Sequence, residues 1–224
     1  MQERAIPQAS VAGLSALETS KVLRNTYMLL GMTLAFSALC AGVAAAMNVP
    51  PLNFMFFFIA VFGLSFLVSA TANSAWGLVS VFVFTGFIGF FTGPILSAVI
   101  SGLPHGAESV AMAMGTTAFA FIGLSAYALI TKKDFSFLSG FIMIGMFAML
   151  GGIILGFFFD LGVFRLVMST GIVILMASVI LWQTSAIVHG GETNYILATT
   201  TLFMAIYNMF MSLLHLFLAF GGDD

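Results

Sequence analysis

Charge is what this sequence has least of. Asp, Glu, Lys and Arg make up 6% of its 224 residues, against roughly 25% in an ordinary soluble domain, so the chain lacks the polar groups needed to cover its own surface in water. The six Lys and Arg are scattered rather than massed. Without a basic stripe to follow a phosphate backbone, nucleic acid is not an expected partner. The single cysteine, Cys40, excludes an internal disulfide and any multi-cysteine metal site; inside an apolar run it reads as a small packing residue. The three histidines, His105, His189 and His215, fall on different segments and do not suggest a metal centre. Catalytic signatures are missing too: there is no His-Glu-x-x-His, no Gly-x-Ser-x-Gly, no pair of aspartates within an apolar run and no Gly-x-x-x-x-Gly-Lys. The expectation is a protein with no enzymatic chemistry, no cofactor and no metal.

What is abundant is hydrocarbon. Sixty-one per cent of the residues are hydrophobic, and they come in runs of about 20, the length that carries a helix across a bilayer core. Spans are expected at 26–47, 52–70, 78–100, 109–130, 138–159, 163–183 and 196–219, joined by breaks too short to hold a further domain. The fold class is therefore all-α, a polytopic membrane bundle of seven transmembrane helices. It divides into an N-terminal tail over 1–25, the bundle over 26–220 and a short C-terminal tail over 221–224. The tail contains Glu3, Arg4, Glu18, Lys21 and Arg24 and no apolar core of signal-peptide length, so the first span is expected to be retained. Seven spans put Arg4, Lys21, Arg24, Lys132 and Lys133 on one side and leave only Arg165 on the other. The positive-inside rule then assigns the N-terminus to the cytoplasm and the C-terminus to the outside.

Three features stand out within this frame. In the third span Gly86, Gly89 and Gly93 share one helix face, a spacing that lets two helices approach closely; Pro94 follows, removes a backbone donor and predicts a kink or break there. Gly152 and Gly156 form a weaker seam in the fifth span. The seventh span carries Thr201, Ala205, Asn208, Ser212 and His215 at i, i+4, i+7, i+11 and i+14. This polar stripe should face the bundle interior, because an unsatisfied polar group in hydrocarbon costs several kcal/mol; whether it seals a core or lines a wet path is open. His215 is the one candidate titrating group at depth, since Glu108, Asp134, Asp160, Arg165 and Glu192 lie near span ends. The last break, Thr184 to Tyr195, is the most polar between spans, with Gly190 and Gly191 as a helix stop and Thr193 or Asn194 as a cap for the helix that follows.

An ordered set of segments is more specific than any of these alone: Lys21-Val-Leu-Arg-Asn-Thr-Tyr27, Gly77-Leu-Val-Ser80, Gly89 to Leu96 with its Gly93-Pro94, Ala113 to Ala118, Tyr127, Lys133-Asp-Phe-Ser-Phe-Leu138, and His189-Gly-Gly-Glu-Thr-Asn-Tyr195. Leu202, Tyr207-Asn208, Phe210 and Ser212-Leu-Leu214 complete it. Through these the chain resembles the Bax inhibitor-1 family, most closely its bacterial YccA-like branch, over nearly its whole length. The resemblance implies six helices around a central seventh, in a bacterial inner membrane. It also implies one of two activities. YccA-like proteins associate with the membrane AAA protease FtsH and its HflK and HflC partners and restrain degradation of membrane proteins; other members behave as pH-sensitive calcium leak channels gated by a pair of aspartates. Those aspartate positions align here with Gln183 and Ala205, and a basic position at the end of span two aligns with Ala70. An amide and a methyl group cannot share a proton as two carboxylates do. The reading therefore favours a regulator that binds the protease through its N-terminal tail and the loop of His189, Gly190, Gly191, Glu192, Asn194 and Tyr195. The calcium or cation leak is the alternative.

Overall fold

In a computed structural model, residues 8–51, 53–158 and 162–221 are described, and they form seven α-helices. These are α1 (Gln8–Ala46), α2 (Phe54–Thr71), α3 (Trp76–Gly102), α4 (Gly106–Thr131), α5 (Leu138–Phe158), α6 (Gly162–Val188) and α7 (Tyr195–Phe220). Each expected span falls on its own helix. Six of the seven are long and apolar enough to cross a bilayer; the seventh, α2, is the shorter apolar helix at 18 residues. The chain is a polytopic membrane protein.

Two boundaries differ from expectation. α1 reaches back to Gln8, so 8–25, expected as a tail, is continuous helix with the first span. α6 runs on to Val188, so Thr184 to Val188 is helical and the last loop shrinks to 189–194. The reason is visible in packing: Thr184, Ser185 and Ile187 are all buried, and polar side chains that find partners do not end a helix. Asp160 and residues 222–224 lie outside the described residues, as do Glu3 and Arg4.

Helix α7 is the hub. It packs against α1, α2, α3, α4 and α6, while among the described residues α5 pairs only with α6. The core forms where α7 meets its neighbours: Leu29 and Leu30 from α1, Phe84 and Ile88 from α3, Ile180 from α6, and Leu202, Phe203 and Met209 from α7 are all at most 2% exposed. Each such side chain withdrawn from solvent contributes roughly 1.5–3 kcal/mol in water, but in lipid the gain comes from close packing instead. Thus α1 and α3 form the broadest helix pair, and the glycines explain why. A Cβ on Gly89 would overlap the carbonyl of Ser37, one on Gly93 would overlap that of Ala41, and one on Gly86 would come within 2.6 Å of the Phe36 ring. On the far side of α3, Phe57 of α2 stacks on Phe91 with centroids 3.9 Å apart.

Candidate functional site

The hydrogen bonds that tie one loop to another gather at one end of the bundle. Asn194 begins this network. With extended backbone ahead of α7, its Oδ1 accepts from the amides of Ile196 at 2.9 Å and Leu197 at 3.2 Å, capping a helix start that would otherwise leave its first donors unsatisfied. Its Nδ2 then donates across the bundle to Ala72 O at 3.1 Å and Asn73 Oδ1 at 2.8 Å, in the turn between α2 and α3. One side chain thereby starts α7 and fixes it to a second loop. Glu192 Oε1 in turn accepts from the Asn194 amide at 2.8 Å.

The α4–α5 connection is tied in by two more residues. Lys132 adopts left-handed backbone (φ 48°) and closes α4, which turns its carbonyl toward His189 Nε2 at 3.1 Å. The other ring nitrogen, Nδ1, faces Ser185 O at 2.9 Å. A neutral imidazole carries one N–H and makes one of these bonds; the imidazolium makes both. Ser185 Oγ accepts from the Phe135 amide at 3.0 Å and donates to Lys133 O at 3.2 Å. Beside it, Asp134 is exposed, and its carboxyl is held below the usual aspartate range by hydrogen bonds from the Ser136 amide and hydroxyl, with the nearby His189 adding to the effect. Gly190 (φ +74°) takes the left-handed turn that ends α6, a conformation side chains with a Cβ rarely adopt. Three loops are thus knitted at the end where Lys132 and Lys133 also lie, and the α1 residues joined to this end by Tyr27 hydroxyl–Thr184 (3.3 Å) and Thr199 hydroxyl–Thr26 carbonyl (3.3 Å) bring Lys21 and Arg24 there as well. Tyr195, the first residue of α7, is half-buried against the core.

Deeper in, the α7 stripe is distributed rather than continuous. Ala205 and Ser212 are buried, Thr201 and Asn208 half-buried, and His215 is exposed at the far end of the helix. Asn208 donates back to Met204 O of its own helix at 2.8 Å, not to a neighbouring helix. His215 Nδ1 does reach across, to Ser169 Oγ of α6 at 2.8 Å. Gln183 is 2% exposed and its Nε2 has no partner; Thr26 Oγ1 and Ser125 Oγ are likewise buried without one. Of the kink or break expected at Pro94, the break does not occur: α3 continues as helix through this residue, which is buried among its neighbours. The Gly152 position faces Met168 of α6, but Gly156 meets nothing within 4 Å. The close approach of α5 to α6 instead pairs Gly152 with Gly145, which faces Leu175. Among the described residues no group of three His, Cys, Asp or Glu could hold a metal ion.

The residues that sequence reasoning missed are Ser185, Asn73, Lys132 with its acceptor carbonyl, and the Tyr27–Thr184 pair. Only one signal pointed to them: the run Gln183-Thr-Ser185 places three polar side chains together at the end of an apolar helix.

Known proteins bear on this arrangement. The chain is 51% identical to an uncharacterised protein of Pseudomonas aeruginosa, over 92% of this chain and 93% of that one. It is 44% identical to the Escherichia coli K12 protein named Modulator of FtsH protease YccA, over 94% of each. An uncharacterised membrane protein of Vibrio cholerae is 40% identical over 93% of each chain. None of these is named as an enzyme. The sequence profile described as Inhibitor of apoptosis-promoting Bax1 matches residues 19–222. With that match spanning all seven helices, the chain belongs to the Bax1-I family.

Proposed function

We propose that this protein is an inner-membrane regulator that binds an FtsH-type AAA protease complex and slows its degradation of membrane proteins, with no catalysis of its own. The observation that carries the reading is 44% identity, end to end, with a protein named as a modulator of that protease. The knitted end supports it: Asn194, His189 and Ser185 hold three loops in one fixed relief, the kind of rigid surface that binds without losing ordering entropy. The loop His189–Tyr195 and the N-terminal part of α1 are the grip, and HflK and HflC would share the complex. The basic residues at this end favour the cytoplasm for it, with the opposite end and the C-terminus in the periplasm.

The channel reading has less support. Its acidic pair is replaced by Gln183, an amide, and Ala205, a methyl group buried to 1% exposure, and neither titrates. Purification in mild detergent tests the binding reading. An FtsH-type protease should co-purify with the intact protein and be lost when Asn194 is replaced by Ala; co-purification that ignores the loop would place the grip elsewhere.

A further inference from the structure

Helices α1 and α4 do not pack side by side. The rings of Tyr27 and Phe121 bridge them, with centroids 5.9 Å apart, and beyond that bridge both helices wall one cavity of about 830 Å³ whose floor is α3 and α7. The cavity lies in the half of the bundle away from the knitted loops, near the C-terminal ends of α1 and α3 and the N-terminal half of α4. Its rims are Ala38 and Gly42 on α1 and Met114, Ala118 and Ile122 on α4, all exposed on faces that point to hydrocarbon. No charged side chain lines it. Thr92, Thr117 and Ser101 turn their hydroxyls onto carbonyls of their own helices at 2.7 Å, and the remaining polar side chains of the lining are Ser37, Ser97 and Tyr207, whose hydroxyl lies 3.3 Å from Thr92.

The dimensions choose the occupant. Along α1 the lining runs from residue 34 to 45, about 16 Å at 1.5 Å per residue, close to one leaflet of a hydrocarbon core that is about 30 Å thick. With a volume of about 830 Å³ over that length, the cleft has room for extended acyl chains. A transmembrane helix runs the full thickness of the core, whereas the cleft closes at the Tyr27–Phe121 bridge after about one leaflet, a depth that suits an acyl chain and not a spanning helix. We propose that this cleft is a binding site for the acyl chains of a membrane phospholipid, inserted sideways between α1 and α4 from the leaflet at that end. With no cation in the lining, recognition is of the chain and is indifferent to headgroup charge.

The test uses the whole protein in nanodiscs doped with a phosphatidylethanolamine or a phosphatidylglycerol that carries a diazirine in its acyl chain, with adducts mapped by mass spectrometry. Peptides of α1 around 38–45 and of α4 around 114–122 should be labelled well above the lipid-facing surface of α5, equally by both lipids. A Cβ at Gly42 meets nothing within 4 Å, so Gly42→Trp should fold, fill the cleft and reduce that labelling to the α5 level, as should Ala118→Trp from the opposite wall. Gly123→Trp, on α4 with equally open space, is the control and should leave it unchanged. Labelling of the cleft no higher than α5, or unaffected by either filling variant, would overturn the proposal. So would a photoreactive side chain at position 42 that, in cell membranes, captures a discrete protein rather than lipid.

Discussion

Single residues set the closest contacts in this protein, and the most consequential are those with the least side chain. Gly89 lies against the Ser37 carbonyl, a backbone group that cannot swing aside. Gly89→Val should therefore force α1 and α3 apart and cost at least the 1–3 kcal/mol typical of overpacking. Gly31→Ala, on α1 with open space, should be neutral or slightly stabilising through helix propensity; thermal unfolding in detergent compares the two. Asn194 is the polar counterpart. Asn194→Ala removes the α7 cap and both bonds to the α2–α3 turn and should cost more than the ~1 kcal/mol of a lost cap alone. Asn194→Asp keeps the cap and loses only the cross-bundle donor, so its melting point should fall between those of the wild type and Asn194→Ala. The glycine face was legible because three glycines on one side of an apolar helix leave room for nothing but a neighbouring backbone. The double role of Asn194 was legible only by half: a cap is a local pattern, whereas its bond to Asn73 joins residues 121 apart in sequence.

At the scale of elements, lipid makes the helices readable. A backbone crossing hydrocarbon must satisfy itself, so apolar runs of about 20 residues translate directly into α1 to α7. Helix ends are less legible where water no longer marks them: Thr184 and Ser185 look like loop residues, but partners from α1 and the α4–α5 connection let α6 continue. Partners of helices are less legible still, and Gly145 rather than Gly156 completes the α5 seam because only the packed structure shows which face meets α6. That seam sets the order of opening. Among the described residues helix α5 pairs with α6 alone, so Gly145→Leu should detach it and expose cysteines placed on its inner face to a membrane-permeant thiol reagent while α7 stays protected; equal exposure of α7 would contradict the hub arrangement. The α4–α5 connection adds a pH effect. The Asp134 carboxyl is depressed in the folded state, so the stability it contributes is present above the ordinary aspartate range and is lost as pH falls through its lowered value. Asp134→Asn should flatten the acid limb of a melting-temperature profile and leave the shape of the neutral region unchanged.

For the whole molecule, the division of labour runs along the membrane normal. One end is cross-linked by Asn194, His189 and Ser185 and carries Lys21, Arg24, Lys132 and Lys133; the other half holds the open, largely apolar cleft between α1 and α4. The central helix connects them, and neither Gln183 of α6 nor Ala205 of α7 carries an ionisable group. This layout suits a protein that presents a fixed surface to a partner better than one that moves ions, and reconstituted liposomes loaded with a calcium dye should show no flux. The most direct measurement of protease regulation is degradation of a membrane substrate by an FtsH-type protease in proteoliposomes, with this protein added at increasing ratio. The rate should fall and saturate, and the fall should be lost with Asn194→Ala at unchanged bilayer insertion. A rate that stays constant at every ratio would contradict a regulatory role.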